Sequence, residues 1–383
     1  MLQESQVNQK KPFLLLSIAG AVLLVAMLTL FLKNKTNIGS ELKLSGPKKT
    51  NYLISMISDN GDYLFSFYAE FYHQEKKAAL FFVNPLTSFE DEKTLEDYGK
   101  DAPDEIYSSL EDTLDHSIQH KIVITETNFH QIVNLLGGME LFFEPRSNRI
   151  TKKYKRVNRI YNLDGEDCYD VLSYLEDRKL LSYIHRLEIQ ENTILSLFET
   201  FHQKRDLLSK QKIGYLHDHI NNNLSLKDWE LFFEFFKKDR VHFGVSELPA
   251  EPIARVKKKD EILKTHEETV KVAFNKFSSD VRSSYYSDGE RARIEILNGT
   301  SKSGLARYGK ALLNDKGLKV LSVDNAWDSN FDKSIILNRS GNTQYTDTIS
   351  ETFQGRKVYF ALRKDLGLDA TVVLGEDFQN SKE

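Results

Sequence analysis

The 383-residue chain has 52 basic and 56 acidic side chains, a net charge of −4 and one cysteine, Cys168. That balance excludes a globally polybasic nucleic-acid binder, and a single thiol excludes an intramolecular disulfide or a cysteine-built zinc site. No HExxH, Walker-type phosphate loop, GxGxxG or GxSxG stretch occurs, which removes the simplest enzyme assignments.

Residues 1–12 form a short polar leader, and residues 13–32 are twenty consecutive residues without a charge. A helix of that length crosses a hydrocarbon core about 30 Å thick. The apolar run exceeds the usual core of a cleavable signal peptide, and no small-x-small site follows Leu32, so a retained signal-anchor is expected. Lys10 and Lys11 precede the span, while Lys33, Lys35, Lys43, Lys48 and Lys49 follow it, and flanking charge leaves the orientation open. Residues 33–50 read as a tether.

From Asn51 the pattern alternates β-rich and helical runs, as a layered α/β domain does over 51–252. Asp62–Tyr72 and Ala78–Val83 read as adjacent strands joined by the polar His73–Lys77 turn. Ile122–Thr125 is a short strand. Thr127–Leu136 is a helix stopped by Gly137 and Gly138, and Met139–Phe143 is a further strand. Asp164–Leu175, Ile184–Phe201 and Leu226–Phe236 have amphipathic helical spacing. The charged stretch 253–290, after Pro249 and Pro252, reads as a linker or surface helix.

Residues 291–379 form a second unit. Ala292–Leu297 is a strand, Asn298–Gly304 a turn, Leu305–Asn314 a helix and Leu318–Val323 a strand. Ser334–Leu337, a helix near Thr343–Phe353, Lys357–Leu362 and Ala370–Leu374 repeat the theme, read together as a small βαββαβ sandwich. The Asn298–Gly304 turn can cradle a phosphate or simply cap its helix, and the capping reading is preferred.

Two stretches carry a family resemblance: Phe129–Leu141, with its Leu-Leu-Gly-Gly-Met core, and Leu163-Asp-Gly-Glu-Asp-Cys-Tyr-Asp-Val-Leu-Ser-Tyr174 running on to Arg186-Leu-Glu-Ile-Gln190. They resemble segments of the LytR–CpsA–Psr family of bacterial envelope proteins. Ile294–Thr300, Gly304–Ala306 and Thr371–Gly375 resemble the LytR C-terminal domain. The resemblance implies an extracytoplasmic α/β/α domain, anchored in the cytoplasmic membrane. It also implies binding of a polyprenyl-pyrophosphate-linked glycopolymer in an apolar cavity, and transfer of that polymer to peptidoglycan with Mg²⁺ and arginines around the pyrophosphate.

Carried over residue by residue, the resemblance keeps the acid of the Ser-Asp-Thr motif as Asp62, a candidate metal contact, with Asn60 where an arginine often precedes it. The Pro-Arg-Asp motif falls on Pro85-Leu86-Thr87. The Arg-x-Arg motif falls on Glu176-Asp177-Arg178, and the last motif keeps Arg186 and Gln190 but has Ile189 for an arginine. Asp62, Arg178 and Arg186 are therefore the candidate catalytic residues, with Gln190 as a binding residue. Losing several preorganised charge donors leaves little of the ordinary reaction.

Compensation can come from 146–159, with seven basic residues and no acid, where Arg146, Lys153 and Arg156 are candidate ligand contacts; a solvated hairpin is the bland alternative. Glu90–Asp115, with eleven acids and two basic residues, reads as a mobile acidic loop. His116, His120, His130 and His185 lack metal-ligand spacing, and Trp229–Phe236 reads as aromatic core. Two function classes follow: a divergent envelope glycopolymer transferase or pyrophosphatase, or a non-catalytic lipid-, peptidoglycan- or protein-binding scaffold, with Leu86 and Glu176 favouring the second. Direct transcriptional regulation has no support in a chain without a basic recognition helix.

Overall fold

Strands β1 (Lys49–Ile57), β2 (Tyr63–Tyr72) and β3 (Lys77–Val83) form an antiparallel meander whose register pairs Ile54 with Phe67 and Phe67 with Phe82. These are coordinates of a computed structural model, which describes residues 48–89, 92–115, 117–143, 160–255, 258, 260–283 and 292–378. All ten residues of β2 are buried, because the sheet is covered on both sides and neither face of the strand meets water. Strand β5 (His120–Ile124) joins β1 in parallel, and β8 (Asn221–Asn222) pairs antiparallel with β5. Strand β9 (His242–Glu247) closes the other edge against β3, giving the order β8-β5-β1-β2-β3-β9.

One face packs Phe65, Phe67, Phe71, Leu80 and Phe82 against five helices. These are α3 (Glu126–Leu135), α4 (Gly165–Ser173), α5 (Leu180–Gln203), α6 (Lys210–His219) and α7 (Leu226–Lys238). Phe198 and Phe236 stack with ring centroids 4.5 Å apart, and the Trp229 indole donates to the Ile213 carbonyl over 3.0 Å. The aromatic run 229–236 is core, as expected.

The opposite face, with Tyr68, Phe81 and Val83, packs under α2 (Ala102–Leu114) and α8 (Glu267–Arg282). Two expectations change there. Residues 92–115, expected to belong to a mobile loop, are ordered: Thr94 and Asp97 form a capping box that starts α1 (Leu95–Tyr98), and Ala102, Ile106, Leu110 and Leu114 bury one face of α2. Of the two readings of 253–290, a linker or a surface helix, the described residues bear out a helix over Glu267–Arg282 and replace the linker with strands. Strands β10 (Glu251–Arg255) and β11 (Asp260–Lys264) pair with each other and with β4 (Thr87–Ser88), and Val270 and Phe274 of α8 fill the second core.

A small hairpin of β6 (Met139–Phe142) and β7 (Ile160–Leu163) flanks α5. The Gly137-Gly138 stop behaves as expected, both residues having positive φ. A Cβ on Gly138 would lie 2.7 Å from the Leu163 carbonyl oxygen.

In the C-terminal unit, β12 (Ile294–Asn298), α9 (Leu305–Asp315), β13 (Val320–Asn325), β14 (Ile335–Asn338), α10 (Thr343–Thr352), β15 (Val358–Phe360) and β16 (Ala370–Leu374) follow in order. The βαββαβ reading omits one strand: β16 inserts between β12 and β14, and the sheet order is β13-β12-β16-β14-β15. The Asn298 side chain accepts from the Thr300 amide and donates to the Lys302 carbonyl, so the Asn298–Gly304 turn satisfies its own polar groups.

Residues from Lys49 onward form one compact unit in which this sheet docks on the first. Phe360 and Leu362 join the first core cluster, the Leu362 amide donates to Asn192 Oδ1 over 2.7 Å, and the Phe243 amide donates to Thr343 Oγ1 over 2.8 Å. The expected membrane span, the tether up to residue 47 and the basic stretch with Arg146, Lys153 and Arg156 lie outside the described residues. No helix among the described residues is long and apolar enough to cross a membrane.

Candidate functional site

The amino-terminal half of α5 carries the site. Tyr183 is buried, its hydroxyl donating to Glu96 Oε1 over 2.6 Å and its carbonyl accepting from Asn84 Nδ2. One turn later Arg186 lies over the Tyr183 ring, 4.8 Å from its centroid, at the (i, i+3) spacing that brings side chains onto one face. Arg186 is 7 % exposed, and its Nε and Nη2 atoms have no hydrogen-bond partner. Burial, the leading cause, pulls its affinity for the proton down, and the Arg178 charge acts in the same direction. Gln190, a further turn on, is fully buried; its Nε2 donates to the Leu172 carbonyl and its Oε1 is unpartnered.

The other carried-over positions separate. Arg178 precedes α5 and is exposed, yet close enough for its charge to act on Arg186 and Tyr183. Asp62 is exposed in the turn between β1 and β2, where its amide donates to Ser58 Oγ over 2.9 Å. Tyr169 of α4 is the link between them: burial first, then Glu126, Asp59 and Asp62, raise its hydroxyl far above the usual tyrosine range, and the same residue acts on Arg186. Asp62, Arg178 and Arg186 thus border one electrostatic neighbourhood without making a contact among themselves.

Leu86 is buried, its amide held by Asn84 Oδ1 at 2.9 Å, so it presents no charge to this neighbourhood. Among the described residues no group of three His, Cys, Asp or Glu side chains can hold a metal. Both Asp59 oxygens are taken by Thr127, which leaves Asp62 alone. Mg²⁺ is commonly held by one or two carboxylates together with phosphate oxygens of the ligand and water, so Asp62 would hold such an ion only in company with its ligand. His120 stacks on Tyr52 and His130 meets Tyr169 edge-on, both in packing roles; His116 lies outside the described residues. Cys168 is fully buried, and burial pushes its thiol far above its usual range, so it is structural.

Beside Arg186 opens a cavity of about 520 Å³, whose walls sequence reasoning did not identify. Its walls come from α5, from Leu141–Phe143, and from Phe360–Asp365 of the C-terminal unit. Only Ile189 among its apolar lining had been singled out, as the replacement of an arginine. Three carboxylates gather on its far side around Lys364, whose Nζ pairs with Glu191 at 2.8 Å and with Glu247. Burial pushes Glu188 up to about 7 and Glu191 up to about 8, each opposed by Lys364. Burial also pulls the Lys364 ammonium down, but Glu191 and Glu247 more than offset this and hold it above its usual value. The signal for this cluster was the Glu188–Glu191 spacing on one helix face, which has no meaning without knowing what docks on it.

Residues 291–378 match the family described as "LytR cell envelope-related transcriptional attenuator". No curated protein matches the chain in sequence. Among solved structures, "TagT bound to LI-WTA" is similar at 17% identity with a TM-score of 0.50, covering 62% of this chain and 92% of that one. The crystal structure of TagT from B. subtilis gives 16% and 0.48, covering 63% and 96%, and protein gbs0355 from Streptococcus agalactiae gives 12% and 0.49, covering 61% and 88%. The mixed α/β fold is therefore one that TagT shares. A LytR-type C-terminal domain follows it, so the resemblance to LytR–CpsA–Psr proteins holds for the fold and for the C-terminal sequence.

Proposed function

We propose that this chain is a cell-envelope protein of the LytR–CpsA–Psr type that binds a lipid-linked anionic glycopolymer and has lost, or altered, the step that transfers it to peptidoglycan. The observation that carries this reading is Arg186: a buried guanidinium with two unpaired donors beside an apolar cavity. An uncompensated buried charge is costly, and an anion arriving at the fork removes that cost. A protein of the same fold has been solved bound to LI-WTA, which supports a lipid-linked polymer as the kind of ligand.

Transfer needs more than binding. The leaving pyrophosphate develops charge that must meet preorganised cations, and each missing donor of that kind costs about 3–4 kcal/mol of transition-state stabilisation. Here buried Leu86, exposed Glu176 and half-buried Ile189 occupy positions where the resemblance implies arginines. Residues 13–32 anchor the chain in the cytoplasmic membrane, with the folded unit on the outer side near peptidoglycan. The test is incubation of the full chain with a polyprenyl pyrophosphate and Mg²⁺, scoring binding and phosphate release beside Asp62→Ala. Binding without release is expected; release that Asp62→Ala abolishes overturns the loss of catalysis.

A further inference from the structure

The Lys364 ammonium lies where the C-terminal unit docks on α5 and β9. Its Nζ meets Glu191 of α5 at 2.8 Å and also Glu247 of β9, and the Lys364 amide donates to Glu188 Oε1 over 3.4 Å. Three acids from two elements thus converge on one lysine. The segment that carries it, Phe360–Asp365, also seals the contact, because Phe360 and Leu362 enter the first core and the Leu362 amide donates to Asn192 Oδ1.

The charged groups facing this point come from three elements. Helix α5 contributes His185, Glu188 and Glu191, strand β9 contributes Glu247, and the docked segment contributes Arg363, Lys364 and Asp365. Arg363 pairs with Asp365 at 2.8 and 2.7 Å, and His185 also acts on Asp365. Lys364 answers the other three acids. With all three ionised, two negative charges stand in excess of the lysine at a domain contact. Glu191 is then the costliest of them, since its side chain is fully buried and its Oε2 has no partner.

Burial, the first cause in each case, raises Glu188 to about 7 and Glu191 to about 8 against the pull of Lys364. The docked form therefore holds protons that a separated helix face gives up, and rising pH favours separation. Lys364 and Glu247 keep 35% and 32% of their side chains in solvent, so protons reach the cluster without opening the core. The docked segment is also braced within its own unit. The Ala361 and Arg363 amides donate to the Asn338 and Arg339 carbonyls, each over 3.0 Å, so it lifts as a shaped piece.

We propose that Glu188, Glu191, Glu247 and Lys364 form a proton-controlled latch: protonated acids keep Phe360–Asp365 docked as the C-terminal wall of the cavity, and loss of those protons releases it. The latch deepens the preceding reading by naming how that site is regulated, and rests on it only for what the cavity holds. It is measured without ligand. Failure of a polyprenyl pyrophosphate to bind would sink the preceding reading and leave the latch standing.

The test follows hydrogen exchange of the full chain in a membrane mimic at about pH 6 and about pH 8, corrected for the intrinsic pH dependence of exchange. One proton released on opening changes the opening equilibrium about ten-fold per pH unit. Segments 180–193 and 358–366 are expected to open together, at least ten-fold more at the higher pH, while 294–298 and 370–374 inside the C-terminal sheet keep their protection. Glu191→Gln and Glu188→Gln, made separately, are each expected to open at least three-fold less than wild type at about pH 8.

Equal opening of wild type at the two pH values overturns the proposal. So does loss of protection that spreads to 294–298 and 370–374, which is unfolding rather than undocking. Opening of the folded Glu191→Gln variant equal to that of wild type at about pH 8 overturns it as well.

Discussion

Glu191 offers the sharpest quantitative test of how the two domains are joined. Its side chain is fully buried, Oε1 meets Lys364 Nζ at 2.8 Å, and Oε2 has no partner. Burial raises its carboxyl to about 8, with Glu247 and Glu188 adding to the rise and Lys364 opposing it. A carboxyl raised in the fold keeps its proton where the unfolded chain has already lost it. Its contribution to stability is therefore complete below about pH 4.5 and is lost as pH rises through about 8. Between about pH 5 and about pH 8 that loss comes to about 3–4 kcal/mol at about 1.4 kcal/mol per unit.

Glu191→Gln keeps the shape and removes the titration. We expect it to lie within about 1 kcal/mol of wild type near pH 5, where only the hydrogen bond to Lys364 changes, and to be clearly more stable near pH 8. Denaturant unfolding of the full chain at the two pH values, followed by tryptophan fluorescence, measures the difference. A wild-type advantage that stays constant, or grows toward pH 8, would show an ionised Glu191 held by Lys364 and would refute the reasoning.

Other predictions follow from single contacts. Arg186→Met should make the ligand-free protein more stable by about 1–3 kcal/mol, because it removes a buried charge without a hydrogen-bonded partner, while abolishing anion binding; equal stability and retained binding would contradict the site. Lys364→Met should cost about 1–3 kcal/mol and expose 358–366 to protease, since the buried Glu191 oxygen then loses its hydrogen-bond donor. Gly138→Ala should cost about 1–3 kcal/mol by calorimetry, because its φ of +86° and the Leu163 carbonyl both exclude a Cβ. Phe236→Ala should cost about 3–5 kcal/mol, since six neighbouring rings pack on it.

Strong periodicity made much of the framework legible. The β-rich runs of β2 and β3, the glycine stop after α3 and the aromatic face of α7 all reappear where the sequence placed them. What escaped was apolar spacing hidden under charge. Ala102, Ile106, Leu110 and Leu114 form a complete helical stripe, but eleven acids in the surrounding stretch gave it the look of a solvated loop. Val270, Phe274 and Val281 did the same for α8 within a run of lysines and glutamates. Strand β16 was visible as a strand, yet its central place between β12 and β14 is a long-range pairing that no local signal encodes. At the site, Arg186 and Gln190 were named through the resemblance, but that both are buried with unpartnered polar atoms was not legible. The walls of the cavity and the Lys364 cluster were not legible because Phe360–Asp365 lie about 170 positions beyond the α5 residues they meet.

The central claim is that a charge-poor site binds its ligand without transferring it. The direct measurement supplies the purified full chain, in a membrane mimic, with a polyprenyl-pyrophosphate-linked glycopolymer, Mg²⁺ and peptidoglycan, and follows polymer attachment and phosphate release over time. Wild type should retain the lipid-linked polymer, Arg186→Met should lose it, and neither protein should show attachment or release. Attachment of polymer to peptidoglycan by wild type, abolished in Asp62→Ala, would contradict it.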